Sequence, residues 1–230
     1  MKQGAGWLLA IDTATATIVV AAGSTDGALL AEEAFEGRYR HSQELLPAIV
    51  RLTERADLRL VDLAGIVAGT GPGAFTGLRV GLATAKTLAH ELGRPIVGVS
   101  TAESLLAAVE GADALWLPSG PRDRVLVTPG AEPVVVRGEA DPPPAARAPT
   151  RAVAVDLDGR APDQALALGR EAVTGLGAAL LRLGAARLAR GEADEPERLV
   201  PAYASAPRGM PLDDPSKQPD GGVAWSRDPR

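Results

Sequence analysis

The sequence predicts an α/β fold built on a mixed five-stranded sheet. Three observations predict it: three apolar segments separated by short turns open the chain, helical periodicity follows residue 41, and short apolar segments then alternate with helices up to residue 109. Short connections pair strands antiparallel, whereas a helix between two strands returns the chain to a parallel neighbour. We therefore expect three antiparallel strands followed by two parallel strands, with helices on the faces of the sheet.

The individual elements follow from the spacing of the apolar residues. Continuous or alternating apolar segments bounded by turn residues predict strands, and apolar spacing of three or four residues predicts helices. Gly93 and Pro95 mark the end of the second helix. This order is that of the ribonuclease-H-like sheet, which forms half of the actin-like and sugar-kinase fold. The predicted strands are residues 7–12, 16–22, 28–35, 65–69 and 96–99, and the predicted helices are residues 41–56, 76–92 and 102–109.

The second part of the chain predicts a smaller, degenerate α/β lobe. Four short apolar segments are followed by residues 165–190, which are helical in composition and are interrupted near Gly175 and Gly177. Residues 141–149 contain four prolines and predict a linker or an exposed loop. The candidate strands are residues 115–117, 124–128, 134–137 and 151–155.

This pattern predicts two lobes and a tail. The N-terminal lobe is expected at residues 1–110, with the two longer helices that the candidate interface below concerns, and the smaller C-terminal lobe is expected at residues 111–206. Residues 207–230 are rich in Pro, Gly, Asp and Arg. Such a segment buries too little apolar surface to offset the entropy of ordering it, so we predict a disordered tail.

Composition excludes several classes of function. The formal net charge is −5 and the sequence pI is near 5.2, whereas nucleic-acid binding draws most of its affinity from Lys and Arg. Any RNA contact is therefore expected to be shared with a more basic partner. The chain has no cysteine, which excludes disulfides, thiolate metal sites and cysteine nucleophiles. No apolar segment approaches the roughly 20 residues of a membrane span and no signal-peptide pattern is present, so we expect a cytoplasmic protein without a membrane partner.

A glycine-rich turn at residues 69–79 joins a predicted strand to a predicted helix. Helix N termini at such turns often bind phosphates. However, the turn lacks the Lys-Ser/Thr pair of a Walker A loop and the G-x-G-x-x-G spacing, and Pro72 removes one N–H group. Two interpretations follow: a tight turn that lets the helix pack closely on the sheet, and a vestigial nucleotide contact that includes Gly71 and Gly73.

Acidic residues end two of the predicted strands. Asp12 and Thr13 are candidates for a residual nucleotide or Mg²⁺ site, and the alternative is that Asp12 accepts N–H hydrogen bonds from the turn that follows it. Asp156 and Asp158, just before Gly159, either mimic a second phosphate loop or form an ordinary turn.

The two longer helices of the first lobe carry more apolar and small residues than one packed face needs. Gly77, Gly81 and Ala85 are spaced at i, i+4 and i+8, and each glycine inside a helix costs about 1 kcal/mol relative to alanine. A strip of small residues allows close approach either of the chain's own sheet or of a partner helix. The alternative is that all of these residues belong to the core. The candidate partner-interface residues are Leu45, Leu46, Ile49, Leu52, Gly77, Leu78, Gly81, Leu82, Ala85 and Lys86.

Four sequence blocks resemble the bacterial TsaB (YeaZ) family. They are LAIDT at residues 9–13, HSQELLP at residues 41–47, GPGAFTGLRVG at residues 71–81 with Ala-Lys at 85–86, and PAY at residues 201–203. The block at 71–81 is the specific one. The second lobe departs from the family pattern, because SGPRDR at residues 119–124 replaces an Asp-Ala-Arg sequence and LDG at residues 157–159 replaces a Gly-Asp-Gly element.

The resemblance implies a non-catalytic accessory subunit. Members pair with a larger paralogue, TsaD, through the two helices of the first lobe, which form a four-helix bundle with the partner. TsaD transfers a threonylcarbamoyl group to the adenosine beside the anticodon in tRNAs that read codons beginning with A. The resemblance also implies association with the ATPase TsaE, a homodimer, tRNA contact only through the complex, and no cofactor other than a nucleotide at the complex interface. It indicates partner hot spots at Leu45, Ile49, Leu82 and Lys86.

The sequence itself lacks the expected catalytic ligands. The catalytic paralogue holds its metal with a His-x-x-x-His pair, and Thr101 and Leu105 occupy those two positions here. The chain has two histidines, His41 and His90, which are too far apart in sequence to form such a pair. We therefore expect neither a metal site nor catalytic residues. The competing hypotheses are an active ATPase or small-molecule kinase on the same fold, and a metallopeptidase.

Overall fold

The computed structural model describes residues 6–37, 41–138 and 150–203. The strands of its first sheet are β1 Trp7–Asp12, β2 Thr17–Ser24, β3 Leu29–Glu36, β4 Leu63–Gly69 and β5 Ile96–Val99, and the helices of this part are α1 His41–Arg55, α2 Phe75–Leu92 and α3 Thr101–Ala107. The sheet has the spatial order β3-β2-β1-β4-β5. The pairs β1–β2 and β2–β3 are antiparallel, and the pairs β1–β4 and β4–β5 are parallel, which confirms the predicted fold class.

Strand β1 shows how the sheet divides the core into two layers. Its side chains alternate between the two faces, as those of any strand do. Leu9 and Ile11 pack into a cluster with α1 and α2, whereas Leu8 and Ala10 pack into a second cluster on the opposite face, with α3. The first sheet is therefore covered by helices on both faces.

The helix ends agree with the sequence signals. Gly93 ends α2 in the left-handed conformation, with φ of 58°, and its N–H reaches the carbonyl oxygens of Ala89 and His90. Ser100 begins α3, because its hydroxyl accepts a hydrogen bond of 3.2 Å from the N–H of Glu103.

A second, smaller sheet follows. The elements of this part are β6 Ala114–Ser119, β7 Asp123–Val127, β8 Val134–Val136, β9 Ala152–Ala154, α4 Asp163–Thr174 and α5 Leu176–Ala189. The sheet has the spatial order β8-β7-β6-β9, in which the pairs β6–β7 and β7–β8 are antiparallel and β6–β9 is parallel. The predicted helical segment is divided at Gly175.

Helix α5 packs on the first sheet although it belongs to the C-terminal part of the chain. A methyl group added at Gly184 would lie 2.3 Å from a methyl carbon of Val67 in β4, and one at Gly23 in β2 would lie 2.8 Å from Leu181. These approaches are closer than any methyl group tolerates, so the glycines allow α5 to seal the face of the sheet that α3 begins to cover. Residues on both sides of the predicted boundary at residue 110 therefore share one hydrophobic core cluster. The predicted tail lies outside the described residues.

No single helix in the described ranges has both the length and the apolar composition of a membrane span. Helices α4 and α5 reach that composition only when taken together, and they are bent by 55° at their junction.

Candidate functional site

The predicted site residues at the end of β1 are brought together, but they are enclosed by the chain itself. Asp12 has no exposed surface. Its Oδ1 accepts a hydrogen bond of 2.9 Å from the N–H of Ala14, and its Oδ2 accepts one of 2.6 Å from the hydroxyl of Thr101. The bond from Ala14 is the strand-end interaction that the sequence offered as the alternative to a Mg²⁺ site.

The glycines of the turn are required by close contacts. A Cβ atom at Gly69 would lie 1.9 Å from Oδ2 of Asp12, and one at Gly73 would lie 2.2 Å from the carbonyl oxygen of Ala14. Gly71 adopts a φ of 93°, in the region that L side chains rarely enter. Larger side chains would push the turn away from the end of β1.

Two backbone donors of the turn are used within the chain. The N–H of Gly71 donates to the hydroxyl of Thr101 at 3.0 Å, and the N–H of Ala74 donates to the carbonyl oxygen of Ala14 at 2.7 Å. The hydroxyl of Thr13 donates to the carbonyl oxygen of Gly77 at 2.7 Å. The tight-turn interpretation therefore accounts for these contacts. The vestigial nucleotide contact stays a prediction, and Asp12 has no exposed surface that a nucleotide could reach.

Burial changes the acidity of Asp12. Removal of the carboxyl group from water raises the pKa of Asp12 from its ordinary value of 3.8 to about 6, against the opposing effect of the hydrogen bonds from Thr101 and Ala14. In an open cleft, a raised carboxyl pKa can indicate a catalytic acid or base. Here the carboxyl group reaches no solvent and its contacts are structural, so the arrangement offers no proton to a substrate.

The C-terminal segment returns to cover the glycine-rich turn. The N–H of Ala202 donates to the carbonyl oxygen of Thr70 at 2.7 Å, and Tyr203 forms a β-bridge with Gly73. The ring of Tyr203 packs on that of Phe75 with centroids 4.8 Å apart. Arg79 lies over the Phe75 ring at 3.9 Å and donates from Nε to the Tyr203 hydroxyl at 3.1 Å. This cluster joins the 201–203 block to the 71–81 block of the sequence.

A cleft of about 380 Å³ lies between the glycine-rich turn and the end of β6. Asp156 lies at its edge with a φ of 57°, and its Oδ2 accepts a hydrogen bond of 2.7 Å from the N–H of Ala16. The side chain therefore joins the loop after β9 to the turn between β1 and β2, whereas Asp158 is exposed. The lining residues are Ala14, Gly73, Ala74, Phe75, Leu117, Pro118, Gly120, Asp156 and Tyr203.

The structure shows which sides of α1 and α2 are exposed, a question that the sequence left open. Eight of the ten candidate interface residues are buried within the chain, because they form the inner faces of the two helices against the first sheet. Leu46 is 52% exposed and Lys86 is half-buried. Buried residues offer no surface to a partner, so hot spots at Leu45, Ile49 and Leu82 do not fit this structure. The buried residues are Leu45, Ile49, Leu52, Gly77, Leu78, Gly81, Leu82 and Ala85.

The outer face of α1 carries apolar surface that sequence reasoning missed in part. Val50 follows Leu46 by one turn and is also 52% exposed. Gln43 and Pro47, which share this region of the helix surface, are exposed and uncharged. The basic side chain of Arg51 turns away to β3, where its Nε donates to Glu33 at 2.8 Å. A helical wheel that places Leu45, Ile49 and Leu52 on the buried side of α1 puts Val50 on the exposed side. Sequence reasoning missed Val50 because it treated Leu45 as an interface residue.

The described ranges contain no group of three or more His, Cys, Asp or Glu side chains arranged to hold a metal ion. Thr101 and Leu105, which the sequence resemblance places at the histidine positions of the catalytic paralogue, are both fully buried. Thr101 is used in the hydrogen bonds to Asp12 and Gly71.

Comparison with known proteins adds independent evidence. The family model described as TsaD, tRNA N6-adenosine threonylcarbamoyltransferase, matches residues 35–174. The chain is 39% identical to the tRNA threonylcarbamoyladenosine biosynthesis protein TsaB of Bacillus subtilis over 111 residues, which span 48% of this chain and 48% of that protein. It is 32% identical to an uncharacterized protein of Mycobacterium tuberculosis over 216 residues, which span 89% of this chain and 94% of the relative.

The fold agrees with a solved structure of the same group. YeaZ from Pseudomonas aeruginosa superposes with a TM-score of 0.60 and 27% identity, over 86% of this chain and 99% of that chain. The sequence match to the Bacillus subtilis protein, in contrast, spans about half of the length of that relative.

Proposed function

The chain belongs to the TsaB/YeaZ family of tRNA threonylcarbamoyladenosine biosynthesis proteins, and from that premise we propose that it is a non-catalytic scaffold and activator of the modifying enzyme. In this proposal it binds the TsaD paralogue in the cytoplasm and supports threonylcarbamoyl transfer to the adenosine beside the anticodon. The observation that carries the proposal is the exposed apolar face of α1, on a chain whose nucleotide-type turn is filled by its own residues.

The closed turn supports the absence of catalysis. An active ATPase or kinase on this fold needs carboxylates that reach a metal ion and backbone N–H groups that reach phosphates. Here Asp12 is buried and hydrogen-bonded, and the N–H groups of Gly71 and Ala74 already have acceptors within the chain. The Thr101 hydroxyl, at a metal-ligand position of the paralogue, holds the turn in place instead of a metal.

The outer face of α1 supports a protein contact. Interface cores are depleted of charged residues and rich in apolar area, and the exposed residues Leu46, Pro47 and Val50 meet that description. The exposed side chains of Ala83 and Thr87 on the neighbouring α2 are small and uncharged, which permits close approach of a partner helix. We propose that TsaD packs on this outer face, with Lys86 at its rim.

The contribution of the two apolar side chains to binding is measurable. Full burial of a Leu or Val side chain contributes about 1.5–3 kcal/mol. Since Leu46 and Val50 are each 52% exposed, burial of the remaining surface of both contributes roughly 1.5–3 kcal/mol. The corresponding loss in affinity is about 10- to 150-fold. We expect a Leu46→Glu/Val50→Glu variant to lose at least this factor in calorimetric titration with TsaD from the same organism.

Matched controls separate the interface from general surface changes. Leu30 on β3 is 55% exposed and Val61, just before β4, is 59% exposed, so Leu30→Glu/Val61→Glu makes the same chemical change elsewhere. The control should bind TsaD as the wild type does. Unchanged affinity of the Leu46/Val50 variant would contradict the proposed face. Ile49→Glu and Leu82→Glu are unsuitable, because both residues are buried and their substitution would unfold the lobe.

Activity assays test the role itself. The full chain alone should neither modify tRNA nor hydrolyse ATP, and it should increase threonylcarbamoyl transfer when mixed with TsaD. Modification of tRNA or steady ATP turnover by the isolated chain would refute the scaffold proposal. Association with TsaE and a homodimer stay predictions, which size-exclusion chromatography of the respective mixtures would test.

A further inference from the structure

A cleft in the C-terminal lobe concentrates positive charge on an otherwise acidic chain. It has a volume of about 410 Å³ and is lined by Pro121, Arg122, Arg124, Gly138, Gly159 and Arg160. Three of these six described lining residues are arginines and none is acidic. The net charge of the whole chain is −5, so this composition is opposite to that of the average surface.

Arg160 is held by groups that leave its charge in place. Arg160 donates to the backbone carbonyl oxygens of Gly120, Pro121 and Asp156, at 3.4, 3.2 and 3.3 Å. Carbonyl groups are neutral, so they fix the guanidinium without cancelling its charge. Within the described ranges no carboxylate forms an ion pair with Arg122 or Arg160.

The other two arginines are placed by the strand β7 and by the turn before it. Arg122 is exposed on the turn that joins β6 to β7. Arg124 is half-buried, with its guanidinium 5.0 Å from the centre of the Trp116 ring, an arrangement in which the ring supports the cation. Glycines complete the wall: the positions that Cβ atoms would take at Gly138 and Gly159 have no described atom within 4 Å.

We propose that this cleft binds a backbone phosphate of the RNA that the assembled complex holds. Guanidinium groups match phosphate oxygens with paired N–H donors, and the space beside Gly159 admits the sugar-phosphate chain. The inference rests on the proposed function, because the acidic chain alone attracts RNA weakly and a partner must first hold the substrate. The cleft adds a contact from the second lobe to a complex otherwise joined through the first.

The salt dependence of tRNA binding by the complex with TsaD tests this contact. Each lost phosphate contact reduces the slope of log affinity against log salt by about 0.7–0.9, and at 0.15 M salt it weakens binding roughly fourfold. We expect Arg122→Gln and Arg160→Gln each to show a reduced slope in fluorescence anisotropy. Thermal unfolding of each variant checks that the turn held by Arg160 is intact, and Arg122→Gln alters no described hydrogen bond.

A charge-matched control lies at the end of α5, outside the residues that line the cleft. Arg190 pairs with Glu192, and Arg190→Gln changes the net charge by the same amount as the cleft variants. The control should leave the slope unchanged. Equal slopes for all proteins, or equal losses for the control and the cleft variants, would overturn the proposal. Loss of TsaD binding by Arg122→Gln would also overturn it, since the cleft would then be a protein contact.

A second experiment uses the full chain without its partner. The arginine Nε–Hε signals of Arg122, Arg124 and Arg160 are followed by NMR at low salt during separate titrations with a six-nucleotide RNA, ATP and inorganic phosphate. Shifts of these signals by the RNA at lower concentration than by phosphate support the proposal. Saturation by ATP without a response to RNA would assign the cleft to a nucleotide and refute it. Failure of TsaD to bind the wild-type chain would refute the proposed function alone, and this titration would still decide the cleft.

Discussion

Replacement of Asp12 by Asn tests the closed turn through the pH dependence of stability. The carboxyl group has no exposed surface, and burial raises its pKa from 3.8 to about 6. A pKa that differs by about 2 between the unfolded and folded states corresponds to roughly 3 kcal/mol of stability. The substitution Asp12→Asn keeps the shape of the side chain and removes its ability to ionise, so it isolates this contribution.

The sign follows from proton binding. Between pH values near 4 and 6 the folded chain keeps a proton on Asp12 that the unfolded chain releases, so the contribution of this group to stability is fully present below about 3.8 and is lost as the pH rises through about 6. Relative to wild type, the free energy of unfolding of the Asn variant should therefore increase by about 3 kcal/mol between pH 4 and pH 7. Urea unfolding monitored by circular dichroism measures both proteins at each pH.

A control of opposite sign makes the test stricter. The N–H groups of Arg151 and Thr150 donate to the carboxylate of Asp113 and lower its pKa. Asp113 therefore contributes stability above its unfolded pKa of 3.8, which is lost as the pH falls through the lower folded value. Asp113→Asn should lose stability relative to wild type as the pH rises toward about 4, and its difference from wild type should stay constant between pH 4 and pH 7. If the difference between Asp12→Asn and wild type stays constant from pH 4 to pH 7, the buried-carboxylate reasoning is refuted.

Two further predictions concern packing and ion pairing. Gly81→Ala places a methyl group 2.1 Å from the hydroxyl oxygen of Thr13, and we expect a net loss of about 1–3 kcal/mol in urea unfolding despite the better helix propensity of alanine. Asp194→Asn weakens a partly buried pair in which Arg187 donates to both carboxylate oxygens at 3.0 Å and the N–H of Gly98 donates at 2.7 Å. We expect a loss of about 1–3 kcal/mol, and a thermal midpoint equal to that of wild type would contradict this.

The fold was largely predictable from the sequence because its signals are local. The period of apolar residues, the turn clusters and Gly93 place each element of the first sheet within two residues of its observed bounds. Helix α5 shows what local signals miss. Its composition predicts a helix, but its position on the first sheet depends on contacts such as that of Gly184 with Val67, which are distant in sequence.

The sequence indicated which residues lie at the candidate site better than which way their helices face. It named both Asp12 and the glycine-rich turn as candidates, and it gave a backbone hydrogen bond to Asp12, observed here from Ala14, as one of two alternatives. It did not assign the exposed side of α1, because both Leu45 and Leu46 fit an apolar stripe and only the sheet decides which one is buried. The arginine cleft depends on a turn, a strand and a loop after β9, which no single stretch of sequence displays together.

The closed turn and the outer helix face are physically connected. The N terminus of α2 is fixed by the hydrogen bonds from Thr13 to Gly77 and from Ala74 to Ala14, and its glycines lie against the end of β1. A helix held in this way loses little further freedom when a partner packs on it, so less of the binding energy is spent on ordering the interface. These contacts fix the start of α2, which packs beside α1 and its exposed Leu46 and Val50. The proposed docking surface therefore includes a helix that the close contacts at the end of β1 hold in place.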